Sequence, residues 1–147
     1  MSIICDGEDT YPDYYTFLQG FSDRSDHQIL YDRGIVYYKK GCYDQAIENF
    51  SAALEIEPYY LLALSSRGDA YAKKGEYDRA VADWTAVLEI EPNDLYALYS
   101  RAETYYKKGD YDRAIEDLET VLKISPNYDS NNQLLEKVRQ AKAGVKE

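Results

Sequence analysis

The sequence repeats itself every 34 residues, and this period limits the possible folds before composition is considered. Pro58, Pro92 and Pro126 stand 34 apart, as do Gly41, Gly75 and Gly109, and Ala46, Ala80 and Ala114. Lys-Lys-Gly recurs at 39–41, 73–75 and 107–109, each time followed after one residue by Tyr-Asp at 43–44, 77–78 and 111–112. A unit of ~34 residues cannot bury its apolar surface alone, so copies must stack and share a continuous core. Stability then approximates a sum of neighbour terms, and the ends of the array need polar caps.

Within each unit the spacing predicts two helices joined by a sharp turn. Leu64, Gly68 and Tyr71 fall at i, i+4 and i+7, one face of a helical period, and that face is expected to be buried. The helix is expected to stop at Lys73-Lys74-Gly75, where two cations meet the negative end of the helix dipole and glycine can adopt the left-handed conformation. In the second helix Ala80, Trp84, Val87 and Leu88 form another apolar face, with Tyr77 packing at its start and Asp78 at the positive end of its dipole. Pro92 ends it, because proline lacks an N–H and disfavours helix at the preceding residue. Asn93-Asp94 offers a capping side chain to the helix that follows.

These residues resemble the tetratricopeptide repeat, whose pattern is W-x2-L-G-x2-Y, then A-x3-F, then P. The first unit, 27–60, places Leu30, Gly34, Tyr37, Ala46, Phe50, Ala53 and Pro58 in those slots. The second, 61–94, places Leu64, Gly68, Tyr71, Ala80, Trp84, Val87 and Pro92 there. The third, 95–128, places Leu98, Ala102, Tyr105, Ala114, Leu118, Val121 and Pro126 there. The resemblance implies an all-α, right-handed superhelical solenoid of antiparallel helix pairs, with a concave groove lined by the first helix of each pair.

Residues 129–147 read as a final capping helix: Leu134, Leu135, Val138 and Ala141 form an apolar stripe, and Gln133, Lys137, Gln140 and Lys142 face water. The segment 1–26 is acidic, carrying net −5 of the chain's −10. Within it Tyr14, Phe17, Leu18 and Phe21 are spaced as a short amphipathic helix, with Thr10 and Pro12 as start signals and Gly20 as a stop. That helix either covers the open face of the first hairpin or occupies the groove, in its own molecule or in a neighbour's.

The resemblance also implies which positions line the groove. From the first unit they include Tyr31, Asp32, Ile35, Tyr38 and Lys39; from the second Leu62, Ser65, Ser66, Asp69 and Lys73; from the third Tyr96, Tyr99, Ser100, Glu103, Tyr106 and Lys107. Tyrosine is over-represented, with 17 against three Phe and one Trp. Tyr37, Tyr71 and Tyr105, with Tyr43, Tyr77 and Tyr111, occupy recurring packing slots. Tyr31, Tyr38, Tyr96, Tyr99 and Tyr106 do not, and are expected to contact a partner, since tyrosine gives large area and a hydroxyl at low entropic cost. The competing reading is that they are simply tolerated on the surface. The candidate site is therefore Tyr31, Ile35, Tyr38, Leu62, Asp69, Tyr96, Tyr99, Glu103 and Tyr106, suited to a peptide with apolar or proline anchors; Asp32, Asp69 and Glu103 favour Lys or Arg in the partner. Chaperone-binding members of the family hold a C-terminal carboxylate with Lys, Asn, Asn, Lys and Arg; here those positions hold Tyr31, Ile35, Ser66, Tyr96 and Ser100, so that ligand is not expected.

With 27 acidic and 17 basic residues, the surface repels phosphate backbones and anionic headgroups, which speaks against nucleic-acid and membrane partners. No apolar run approaches the ~20 residues of a membrane-spanning helix. Cys5 and Cys42 form no disulfide framework or zinc motif, and Cys42 reads as a loop residue in the slot held by Glu76 and Asp110 elsewhere. A reducing, cytoplasmic location is expected from this and from the acidic, non-signal character of Met1–Asp9, if that is the native start. His27 is the only histidine, there is no phosphate-binding Gly loop, and the paired acids read as solvated helix faces, so neither catalysis nor a cofactor is expected. The expected function is a scaffold or adaptor binding a partner's peptide segment; the alternative is a self-associating module using the N-terminal helix or an array end.

Overall fold

The structure is a computed structural model that describes Cys5 and residues 25–145, with the side chain of residue 145 excepted. The amphipathic helix expected around Tyr14 to Phe21 lies outside the described residues. Those residues hold seven helices and no strand: α1 (Asp26–Lys39), α2 (Tyr43–Ile56), α3 (Leu61–Lys73), α4 (Tyr77–Ile90), α5 (Leu95–Lys108), α6 (Tyr111–Ile124) and α7 (Asp129–Val145). The chain divides into two compact units, Met1–Ala70 and Tyr71–Glu147, each with its own packing.

The turns follow from the repeated glycines. Gly41, Gly75 and Gly109 have φ of 80°, 78° and 85°, the left-handed region that only glycine adopts without strain. In each turn the next residue's N–H returns to a tyrosine carbonyl five residues back, from Cys42 to Tyr37, Glu76 to Tyr71 and Asp110 to Tyr105, at 2.9 Å each time. The prolines act as expected: Glu57, Glu91 and Ser125, each just before a proline, leave the helical region at φ of −128°, −126° and −137°. Asp94 caps α5, its Oδ1 accepting from Ala97 N–H at 2.9 Å.

In the first unit Tyr37, Cys42, Ala46 and Phe50 form a buried cluster, against which Tyr31, Ile35 and Tyr38 pack. Gly34 admits the Phe50 ring to the backbone of α1: a Cβ there would lie 2.5 Å from Phe50 Cε1. Cys5 packs on the same cluster and is disulfide-bonded to Cys42, with Cα atoms 5.5 Å apart. Gln45 Nε2 also donates to the Cys5 carbonyl at 2.9 Å. This corrects the expectation of two unlinked cysteines. Cys42 is a nearly fully buried cross-link and not a tolerated loop residue.

In the second unit Ala102, Tyr105, Ala114, Leu118, Leu134, Leu135 and Val138 form the core, so the apolar stripe of α7 closes on α5 and α6 as its spacing predicted. Asn131, fully buried, fastens α7 further by donating from Nδ2 to the Leu118 carbonyl at 3.0 Å. Trp84 is fully buried. The acids are not all solvated: Asp83 and Asp117 are buried. Asp117 takes a bidentate pair from Arg101, Nε to Oδ2 at 2.8 Å and Nη2 to Oδ1 at 2.7 Å, while Arg101 Nη1 reaches Thr85 Oγ1 at 3.1 Å. That hydrogen-bonded pairing raises the Arg101 pKa above its ordinary value despite burial. Leu88 and Tyr71, expected in the core, are only half-buried.

Candidate functional site

Five of the nine expected site residues lie in the first unit and four in the second, and each set is built separately. On α1, Tyr31, Ile35 and Tyr38 follow one another at i, i+4 and i+7, so a single helix face carries all three. Tyr31 is wedged between rings, 5.8 Å from the Phe50 centroid and 5.4 Å from that of Tyr60, and its hydroxyl accepts a long hydrogen bond of 3.5 Å from Ser66 on α3. Tyr38 meets Tyr43 edge-on at 5.4 Å. Burial raises the Tyr38 phenol pKa, with the Asp69 carboxylate adding to the effect, so Asp69 acts on this site electrostatically. Leu62 stands 55% exposed at the start of α3.

On α5 the spacing brings Tyr96, Tyr99, Glu103 and Tyr106 onto one side. Tyr96 meets the buried Trp84 edge-on at 5.6 Å and is still 53% exposed. Tyr99 rests on Tyr128 at 6.0 Å, and Tyr106 on Tyr111 at 5.9 Å. Burial and the Glu103 carboxylate push the Tyr99 phenol above its usual pKa. Glu103 Oε1 is 3.8 Å from Lys107 Nζ. Between α5 and α7 lies a pocket of about 250 Å³, lined by Tyr99, Glu103, Tyr106 and Lys107 on one side and by Ser130, Gln133, Leu134 and Lys137 on the other.

The division into structural and free tyrosines therefore needs correction. Tyr31, Tyr38, Tyr99 and Tyr106 are half-buried and pack on the core clusters, and only Tyr96 among the five is exposed. Ser130, Gln133 and Lys137 also line this pocket; Gln133 and Lys137 are exposed, as their place on the polar side of α7 implies, and Ser130 carried no signal. Tyr60 and Tyr128, which back Tyr31 and Tyr99, did carry a signal: they stand 34 residues before and after Asp94, the cap of α5. His27 stacks edge-on against Tyr60 at 4.9 Å. Among the described residues no group of His, Cys, Asp and Glu could hold a metal ion, and no helix is long and apolar enough to cross a membrane.

Family models described as tetratricopeptide repeat match residues 27–60 and 65–129. The chain belongs to the tetratricopeptide repeat family. Its TPR fold, all-α and of the solenoid class, is shared with solved structures. The first TPR of Spaghetti (RPAP3), bound to the HSP90 peptide SRMEEVD, aligns with a TM-score of 0.75 and 26% identity, covering 80% of this chain and 93% of that one. The second TPR domain of human RPAP3, in complex with the HSP70 peptide SGPTIEEVD, aligns with a TM-score of 0.71 and 26% identity over 77% and 98% of the two chains. The Sgt2 TPR domain from Aspergillus fumigatus, with a TM-score of 0.75 and 22% identity over 84% and 83%, shares the fold. No curated protein matches the chain.

Proposed function

We propose that this TPR chain is a non-enzymatic adaptor that binds a peptide segment of a partner protein through its tyrosine-rich first helices. Two of its structural neighbours are bound to peptides, which supports an interaction module. The observation that carries the groove reading is the backing of the tyrosines: Tyr31, Tyr38, Tyr99 and Tyr106 each pack against another aromatic ring. Side chains already held in this way lose little further entropy on binding. The proposed contact set is Tyr31, Ile35, Tyr38, Leu62, Asp69, Tyr96, Tyr99, Glu103 and Tyr106. Apolar or proline anchors suit the rings, and basic residues suit Asp32 and Asp69; Glu103, expected to favour them too, already stands 3.8 Å from Lys107. Nucleic acid and membrane are not proposed as partners, given the net charge of −10.

The test compares partners captured by the native chain with those captured by a Tyr99→Ala/Tyr106→Ala variant, followed by calorimetry on the identified partner. Affinity should fall by about tenfold or more, the size of a hot-spot loss. Unchanged affinity in a variant that keeps its helical spectrum removes the groove reading.

A chaperone C-terminal peptide is not proposed as the ligand, although one RPAP3 domain is bound to an HSP90 peptide and another to an HSP70 peptide. Tyr31 and Ser66 are occupied with each other, Ser100 is buried, and Ile35 packs on the core, so these positions offer no cation to a carboxylate. Micromolar binding of SRMEEVD by calorimetry would overturn this.

Self-association is the second reading, favoured by the exposure of Ile56 at 52% and Tyr59 at 73%. Light scattering on the full chain and on one lacking residues 1–25 separates the two: loss of a defined oligomer favours assembly, and a monomer with improved partner binding favours a masked groove. Cytoplasmic residence is proposed only with the Cys5 and Cys42 thiols reduced, since that compartment disfavours disulfides. Alkylation of acid-quenched cells in denaturing buffer checks it; full protection of both cysteines from the reagent places the chain in an oxidising compartment.

A further inference from the structure

The pocket between α5 and α7 has a charge balance unlike that of the chain around it. Two lysines and one glutamate line it, in a molecule with net charge −10. Glu103 already answers Lys107 at 3.8 Å, whereas Lys137 makes no ion pair among the described residues. The Tyr99 and Tyr106 hydroxyls and the Gln133 amide also make no hydrogen bond to the described residues. One cation and several neutral donors thus line a cavity of about 250 Å³, enough for one side chain and too small for a folded element.

We propose that this pocket receives a single aspartate or glutamate side chain from the bound partner segment, its carboxylate paired with Lys137 and accepting from the Tyr99 and Tyr106 hydroxyls. This rests on the peptide-binding reading above and assigns partner chemistry to one part of that site. The stoichiometry follows from the charges: a monoanion neutralises the spare cation, whereas a dianion or a run of acids meets repulsion from Glu103. Leu134 gives an apolar wall for the methylenes of the incoming side chain. A phenol is protonated at neutral pH, so the Tyr99 hydroxyl is available as a donor.

The test is selection from a random dodecapeptide library displayed on phage, against the full chain and against Lys137→Glu. Lys137 is exposed and makes no ion pair among the described residues, so the helix should tolerate the change, with Lys137→Gln as a milder companion. Peptides selected by the native chain should share an acidic residue at one aligned position, and Lys137→Glu should select Lys or Arg there. In the best peptide, Glu→Gln should weaken binding to the native chain by about tenfold, and binding to Lys137→Gln hardly at all. Selected peptides with no fixed acid, or an equal Glu→Gln loss on both proteins, overturn the pocket assignment; the groove reading survives if Tyr99→Ala/Tyr106→Ala still abolishes their binding. Preference for phosphoserine over glutamate at that position assigns the pocket to a dianion and overturns the proposal. Failure to enrich any peptide on the native chain removes the groove reading and this assignment together.

Discussion

Gly34 shows how one missing carbon sets the distance between two helices. The Phe50 ring lies so close that an added Cβ would meet Cε1 at 2.5 Å and Cδ1 at 2.6 Å. Phe50 is fully buried and cannot swing aside. Gly34→Ala should therefore lower stability despite gaining up to about 1 kcal/mol of helix propensity, because overpacking costs about 1–3 kcal/mol. The third repeat suggests the remedy, since Ala102 stands where Gly34 does and shares its core with the smaller Leu118 in the place of Phe50. Adding Phe50→Leu to Gly34→Ala should recover part of the loss, and urea unfolding of the two single variants and the double variant measures that coupling. Strict additivity would show that the ring and the glycine are not paired as described.

At the scale of helices, the Cys5–Cys42 bond ties the chain ahead of α1 to the start of α2, closing a loop across a separation of 37 residues. Reduction should lower unfolding stability by about 2–4 kcal/mol, through the entropy returned to the unfolded chain. Denaturation with and without reductant checks this, and Cys42→Ala should match the reduced chain and lose its sensitivity to reductant. This bond was not legible in the sequence, because nothing local to either cysteine marks its partner: Cys42 lies in the turn between α1 and α2, and Cys5 meets it from ahead of α1, 37 residues away. The hairpins were legible for the opposite reason: Gly109, Pro126 and Asp94 each act on backbone within a few residues of themselves. Arg101 and Asp117 lie 16 apart on different helices, so their acid looked like surface until packing brought the guanidinium to it. The site divides in the same way. The period aligned Tyr96, Tyr99, Glu103 and Tyr106 on α5, but the wall of the pocket comes from α7, whose exposed Gln133 and Lys137 border it only once that helix has packed on α5 and α6.

For the molecule as a whole, tyrosine content makes alkaline pH the sensitive direction. Tyr38, Tyr60 and Tyr99 all have phenols raised above the ordinary 10.0, chiefly by burial. The unfolded chain therefore releases these protons first, so the stability they contribute is complete below about pH 10 and is lost as pH rises through the folded values. Each ionisation also adds to an existing net charge of −10. The melting temperature should fall from near pH 10 upward, alongside the rise of tyrosinate absorbance at 295 nm; a melting temperature unchanged well above that pH would contradict it. Trp84 gives the chain a further property. It is the single tryptophan, it is sealed from solvent, and the ring it touches edge-on is Tyr96, the most accessible aromatic of the proposed contact set. A molecule settling on Tyr96 would change the indole's surroundings from one side, so intrinsic emission can follow occupancy in unlabelled protein.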